Sequence, residues 1–256
     1  MLAHRPVSSY MTAELEVAFP DTTLREVQRR LTARRISALP VVDDDGRLAG
    51  VVSRFDLLHV GRTQPGREIT CGEVMTRAPV TVTPASTLRE AAGHMLEHRI
   101  HRVFVLDGAR LAGVLTTTDL TRAVGDSGIA RTIDAIMSSP VVTVGVDLPL
   151  AQAIEQLDRD HVSGLVVTEN DWPVGVFSLE DALAARELSP ATDVGAVYDP
   201  SLVCLPQDTP IPRAASLAAR MGVRRIVVSH QRDFVGVVTG LDFAGAVAEA
   251  ALQVAS

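Results

Sequence analysis

Gly50-Val51-Val52-Ser53-Arg54-Phe55-Asp56 recurs, in kind and in order, as Gly113-Val114-Leu115-Thr116-Thr117-Thr118-Asp119, Gly175-Val176-Phe177-Ser178-Leu179-Glu180-Asp181 and Gly236-Val237-Val238-Thr239-Gly240-Leu241-Asp242. The steps between the leading glycines are 63, 62 and 61 residues. A spacing that regular marks one supersecondary unit duplicated in register, not a short motif scattered by chance.

The rest of the unit is read outward from this clause. Upstream lie a short lead and an extended apolar segment, Val74-Met75-Thr76 then Val80-Thr81-Val82, matched by Ile136-Met137-Ser138 then Val141-Val142-Thr143-Val144. Alternation and β-branching predict strands there. A helix follows, with Leu24, Leu88, Leu150 and Ile211 at equivalent places and apolar residues at helical spacing, as in Leu150, Ala153, Ile154 and Leu157. The near identity of Thr23-Leu24-Arg25-Glu26 and Thr87-Leu88-Arg89-Glu90 fixes the register. Two strands around a polar turn come next, Leu39 to Val42 and Leu48 to Val52 about Asp43-Asp44-Asp45-Gly46, and Ser53 to Leu58 then turns into a second helix. The unit is therefore strand, helix, strand, strand, helix, an α/β (α+β) arrangement of about 55 residues. The expected domains are 1–60, 68–125, 130–186 and 192–250, with linkers near 61–70, 121–131 and 184–192.

So small a sheet needs a neighbour to cover its second face, so the units are expected to work in pairs. After the first helix the four units read Ile36-Ser37-Ala38-Leu39, Ile100-His101-Arg102-Val103, Val162-Ser163-Gly164-Leu165 and Val223-Arg224-Arg225-Ile226. The first resembles the third and the second the fourth. That is a pair duplicated, giving two expected modules, 1–125 and 130–250.

Composition narrows the function classes. The chain has 256 residues, 46% hydrophobic, with a net charge of −7 and its charges interspersed. That balance argues against broad attraction to nucleic acid or an anionic membrane and favours a protein or small-molecule partner. Cys71 and Cys204 are too few for a disulfide framework and lack metal-ligand spacing, so a reducing cytoplasm is expected and each cysteine is read as a small buried or half-buried hydrophobe. Met1 to Tyr10 has no apolar signal core, and no stretch reaches the roughly 18 apolar residues of a spanning helix. Catalysis finds no support: there is no Walker loop with its lysine, no nucleophile elbow, no HExxH pair and no dinucleotide fingerprint.

The clause has two chemical readings. Ser53/Asp56, Thr116/Asp119, Ser178/Asp181 and Thr239/Asp242 each place a hydroxyl three residues before a carboxylate at the head of an apolar helical run. That is a capping box, which satisfies orphan helix N–H groups. The same geometry also presents backbone N–H groups and a hydroxyl suited to phosphate, with a carboxylate one turn on that can accept both hydrogen bonds of a ribose diol.

These residues carry a resemblance. The repeat resembles the cystathionine-β-synthase (CBS) domain, whose pairs form Bateman modules, over essentially the whole chain. Ile36-Ser37-Ala38-Leu39-Pro40-Val41, with His101-Arg102 in the next unit, is similar to the nucleotide-sensing gamma subunit of AMP-activated protein kinase. The resemblance implies four CBS domains in two Bateman modules, arranged as a pseudo-fourfold disc within one chain or between two, and an adenosyl ligand in the cleft of each pair. On it, Asp56, Asp119, Asp181 and Asp242 would hold ribose, and Ser53, Thr116, Thr118, Ser178 and Thr239 would lie near phosphate. Ile36, Ile100, Val162 and Val223 would flank adenine. It also directs His101-Arg102 and Arg224-Arg225 into the cleft, where guanidinium groups suit phosphate; the odd units supply Ser37-Ala38 and Ser163-Gly164 instead. Read without the resemblance, these basic pairs are solvated strand ends. Glu180, beside Asp181, makes the third clause a worse phosphate site.

The expected function is thus a non-catalytic sensor of AMP, ADP or ATP, with S-adenosylmethionine or NAD as alternative ligands, acting on a regulated protein that the sequence does not name. The rival readings are a ligand-free oligomerisation scaffold, whose clauses only cap helices, and a regulator that contacts nucleic acid. His94 and His98, at i and i+4, are placed on an outer helix face away from the stripe of Leu88, Ala91, Ala92, Met95 and Leu96, and no structural metal is expected there. His161 and His230 lie near turns, and Trp172 is expected to pack or to form an interface.

Overall fold

The structure is a computed structural model that describes residues 2–63 and 67–250; the linker expected at 61–70 lies partly outside the described residues. The helices start where the sequence supplies caps. Thr23 accepts from the Glu26 N–H at the head of α1 (Leu24–Arg34), and Thr87 with Glu90 closes a capping box on α4 (Leu88–Glu97). The first repeat comprises α1, β1 (Ala38–Val42), β2 (Leu48–Ser53) and α2 (Arg54–Thr63). A short α3 (Cys71–Val74) and β3 (Thr76–Arg77) lead to the second repeat: β4 (Thr81–Val82), α4, β5 (Arg102–Asp107), β6 (Arg110–Thr116) and α5 (Thr117–Gly125). The third has β7 (Thr143–Gly145), α6 (Leu150–Arg159), β8 (Gly164–Glu169), β9 (Trp172–Ser178) and α7 (Leu179–Ala184). The fourth has β10 (Cys204–Pro206), α8 (Ile211–Met221), β11 (Arg225–His230), β12 (Asp233–Thr239) and α9 (Gly240–Glu249).

The expected order is present in repeats two to four, where a short first strand runs parallel to the second and the second pairs antiparallel with the third. In the first repeat that first strand shrinks to one parallel bridge, Ala18 to Val41. Helix α5 continues through Gly125, past the expected linker start at 121, because Thr121, Ala123 and Val124 are buried. Among the described residues no helix is long and apolar enough to cross a membrane.

The chain forms two compact units. One comprises Met1–Leu15, Val80–Val141 and Val203–Ser256 and holds the bodies of repeats two and four; the other comprises Glu16–Pro79 and Val142–Leu202 and holds the bodies of repeats one and three. They are called here the even and the odd unit. Each compact unit therefore unites the bodies of alternate repeats. The even core is built from Leu88, Met95, Leu115, Leu120, Ile211, Ile226 and Phe243, the odd core from Leu31, Leu39, Leu150, Leu157, Leu165 and Phe177.

Each unit also contains a feature the sequence reading missed. A lead does not join the sheet of its own repeat: Thr12 bridges Val114 and Ser138 bridges Val237 in the even unit, while Thr76 pairs with Val51 and Asp199 bridges Val176 in the odd unit. The first glycine of every clause makes room for this crossing. A Cβ on Gly113 would lie 2.8 Å from Met11 Sδ and 2.9 Å from the Thr12 carbonyl oxygen, and on Gly50 it would lie 2.7 Å from Met75 Sδ. Met137 crowds Gly236 and Tyr198 crowds Gly175 in the same way. Glycine in mid-strand is thus explained by close approach of another strand.

Two smaller expectations are corrected. Leu96 is 38% exposed and lies outside the buried stripe of α4. Cys204 is exposed; only Cys71 is buried, and burial pushes its thiol up to about 11. Trp172, expected to pack or to form an interface, is 57% exposed at the start of β9.

Candidate functional site

In all four clauses the aspartate reaches back to the hydroxyl residue three positions before it, and in repeats two, three and four the pair closes a full capping box. Asp56 Oδ2 accepts from the Ser53 N–H and hydroxyl, both at 2.7 Å. Asp119 Oδ2 accepts from Thr116 at 2.9 and 2.6 Å, Asp181 Oδ2 from Ser178 at 2.8 and 2.6 Å, and Asp242 Oδ2 from Thr239 at 2.6 and 2.7 Å. Each carboxylate commits the same oxygen to its helix. The other oxygen faces different company: Asp119 Oδ1 meets Arg122 at 3.3 Å, and Asp242 Oδ1 accepts from the Ser138 hydroxyl at 3.0 Å. Burial raises the carboxyl pKa of Asp181 and of Asp242, and the hydrogen bonds from Ser178 and Thr239 oppose the rise.

Sheet register sets what stands beside each cap. Across β5 and β6, Arg102 pairs with Thr116; across β11 and β12, Arg225 pairs with Thr239. In the odd unit the same positions pair Ala38 with Ser53 and Gly164 with Ser178. The residue before the strand accepts from the first helical N–H, His101 from Thr117 at 3.0 Å and Ser37 from Arg54 at 3.1 Å. Strand start and helix start thus form one corner in every repeat. Ile36 and Val162 are half-buried against the odd core, and Ile100 and Val223 against the even core.

In the even unit the two corners meet. A Cβ on Gly240 would lie 2.6 Å from Thr117 Oγ1 and 2.7 Å from its Cβ, so the first residues of α5 and α9 touch. The basic pairs of repeats two and four come together at the same place. Burial, then Arg102, Arg225 and Arg224, push the His101 imidazole down to about 4, which leaves it neutral near pH 7. The three guanidinium groups act on the place where two positive helix ends start, and the clause carboxylates there, Asp119 and Asp242, already hold their caps. Thr118, at the second helical position, is exposed.

The odd unit fills the matching corner differently. Arg54, first residue of α2, is 5% exposed, and its Nη1 meets Glu180 Oε2, at the second position of α7, at 2.6 Å. One arginine there answers three carboxylates, Asp56, Asp181 and Glu180. Sequence reasoning flagged Glu180 but missed Arg54, although both stand in the quoted clauses; the pair lies 126 residues apart in the chain. Two open depressions on this unit, of about 460 and 480 Å³, are lined by helix residues that include Phe55, Glu155 and Arg159, and Arg25, Gln28 and Arg186; they contain none of the expected site residues.

The CBS domain family model matches residues 7–62, 71–126, 133–187 and 194–249. An uncharacterized 33.4 kDa protein of a ribosomal RNA operon in Thermofilum pendens is 30% identical over 173 residues, 62% of this chain and 57% of that protein. The inosine-5'-monophosphate dehydrogenase of Mycobacterium tuberculosis is 36% identical over 105 residues, 40% of this chain and 19% of that enzyme. The chain therefore spans about three fifths of the first relative and about a fifth of the second. Among solved structures, a protein of Methanocaldococcus jannaschii proposed as an archaeal homologue of g-AMPK superposes with a TM-score of 0.83 at 15% identity, covering 94% of this chain and 99% of that one.

Proposed function

The chain belongs to the CBS domain family, and on that premise we propose that it is a non-catalytic regulatory protein that binds an adenine nucleotide, AMP, ADP or ATP. The observation that carries the reading is the cationic corner of the even unit. His101, Arg102, Arg224 and Arg225 converge there beside two helix N-termini that start at Thr116 and Thr239. Guanidinium groups beside helix starts favour a phosphate over S-adenosylmethionine, which has no phosphate to neutralise. Asp119 and Asp242 would take ribose hydroxyls while keeping their caps, since a carboxylate accepts about four hydrogen bonds in all. The odd corner, where Arg54 pairs with Glu180 and the strand starts carry no basic residue, would take a ligand poorer in charge or remain a structural junction. Binding regulates a partner only if two arrangements of the chain differ in affinity for the nucleotide. No dehydrogenase activity is carried over from a relative matched over 19% of its length.

A second reading has one specific observation in its favour. All four Ser/Thr–Asp pairs are already hydrogen-bonded to each other, three of them as full capping boxes, which a ligand-free scaffold would also need. Equilibrium dialysis and thermal shift against AMP, ADP, ATP, NAD, S-adenosylmethionine and adenosine separate the two. The sensor reading expects the phosphate-bearing adenine ligands to bind more tightly than adenosine and to raise Tm by mass action. No binding by any of them at millimolar concentration leaves the scaffold.

A further inference from the structure

The last turn of α4 carries three side chains that the nucleotide reading does not use. We propose that His94, Glu97 and His98 form a surface site for a borderline divalent transition metal, Zn²⁺ foremost. His94 Nδ1 lies 3.9 Å and His98 Nε2 4.0 Å from the same Glu97 Oε2, and one ligand atom from each of the three residues falls within 4.8 Å of the others. The two imidazole rings are stacked, 6.3 Å apart and 17° from parallel, so both present an edge to one side of the helix. A tetrahedral zinc ion with bonds of about 2.0–2.1 Å requires ligand atoms roughly 3.3–3.5 Å apart. Small rotations of exposed side chains close that difference, and water completes the coordination.

The donor set selects the metal class. Two neutral imidazoles and one carboxylate suit zinc, copper, nickel or cobalt, whereas calcium and magnesium favour all-oxygen shells. The helix end that carries the donors is fixed in place. His98 N–H donates to the His94 carbonyl at 3.1 Å, Arg99 adopts φ 51°, and Ile100 N–H returns to the Met95 carbonyl at 2.9 Å, so the backbone under the triad is locked on both sides of His98. His94, His98 and Glu97 are 43%, 47% and 69% exposed at the side chain, which leaves the donors open to an incoming ion. Helical i, i+3, i+4 spacing places all three on one face.

The test is calorimetric titration of the full chain with zinc chloride in the absence of nucleotide. One site in the low micromolar range is expected, weakened about tenfold or more by H94Q or H98Q, and further by the double variant. In the unaltered protein, zinc should shift the imidazole proton resonances of His94 and His98 ahead of those of the other histidines, which keeps the proposal testable even if a variant folds poorly. Loss of zinc binding in the double variant, with its metal-free Tm unchanged, supports the site. No binding at submillimolar zinc, equal affinity in the double variant, or zinc shifts confined to other histidines overturns it.

Discussion

The imidazole of His101 gives the sharpest test of the even corner. Burial and the guanidinium groups of Arg102, Arg225 and Arg224 hold its pKa at about 4 against an ordinary 6.5. In the unfolded chain the ring regains water and the ordinary value. Between those two pH values the unfolded state therefore binds more protons than the folded one, so stability falls as pH falls through the window. At about 1.36 kcal/mol per pH unit of pKa difference the full loss is about 3 kcal/mol, and water reaching the exposed part of the ring trims it to roughly 2–3 kcal/mol. His101→Gln keeps a polar side chain of similar reach and removes the titration. Urea denaturation of the parent and the variant at pH 7, 6, 5 and 4.5 reads the effect as a difference. The parent is expected to lose most of that amount relative to the variant, while titrations common to both, such as that of the buried Asp242 carboxyl, cancel. A bound phosphate reverses the local field, so adding AMP should raise the His101 pKa measured by NMR and flatten the difference. Parallel pH profiles for parent and variant would show that the arginines do not act on this ring, and the cationic corner would lose its support.

Arg225→Ala should weaken AMP by about tenfold or more while leaving adenosine within about twofold, the scale of one charge-assisted hydrogen bond; equal loss for both, by dialysis, would remove Arg225 from the phosphate. Gly113→Ala places a methyl group against the Thr12 carbonyl oxygen and the Met11 thioether, and should cost roughly 1–3 kcal/mol in urea denaturation; an unchanged midpoint would contradict the crossing of the lead. Glu180→Gln strips Arg54 of its partner and should cost about 1–2 kcal/mol, low for a buried pair because Glu180 is half exposed; recovery in the Arg54→Met, Glu180→Gln double variant is expected, and additive losses would refute the pairing.

Much of this architecture was legible in the sequence because each feature has a local signature. Thr87 three residues before Glu90, and Ser178 three before Asp181, announce helix starts through backbone chemistry that needs no knowledge of distant parts. The crossing of the leads was hidden. Met11-Thr12 and Met75-Thr76 are too short to declare a pairing partner, and two residues of strand pattern fit any sheet edge. The clause did contain a clue, since a glycine in the middle of a buried strand signals close approach of another backbone. The meeting of His101-Arg102 with Arg224-Arg225 was visible only as similarity between repeats two and four. Their shared position in one compact unit depends on α5 and α9 touching at Thr117 and Gly240, a contact between residues far apart in the chain. Arg54 was hidden by its chemistry: an arginine at a helix start reads as solvated until a carboxylate from another repeat buries it.

Comparison of the four repeats with one another separates what the fold consumes from what it leaves for a ligand. The hydroxyl, the aspartate three residues on and the leading glycine are kept in every copy, and each has a structural task in every copy: cap, cap and crossing. Their persistence alone is therefore weak support for binding. The positions that vary are the strand start (Ser37-Ala38, His101-Arg102, Ser163-Gly164, Arg224-Arg225) and the first two helical residues (Arg54-Phe55, Thr117-Thr118, Leu179-Glu180, Gly240-Leu241). In the even unit they diverge toward cationic strand starts, which adds positive charge at the corner. In the odd unit they diverge toward an internal ion pair, Arg54 with Glu180. The three arginines together push the His101 imidazole down, the mark of repulsion between cationic groups at that corner. An incoming anion removes that repulsion, and this makes the divergence between the units, more than the repeated clause, the feature that points to a nucleotide.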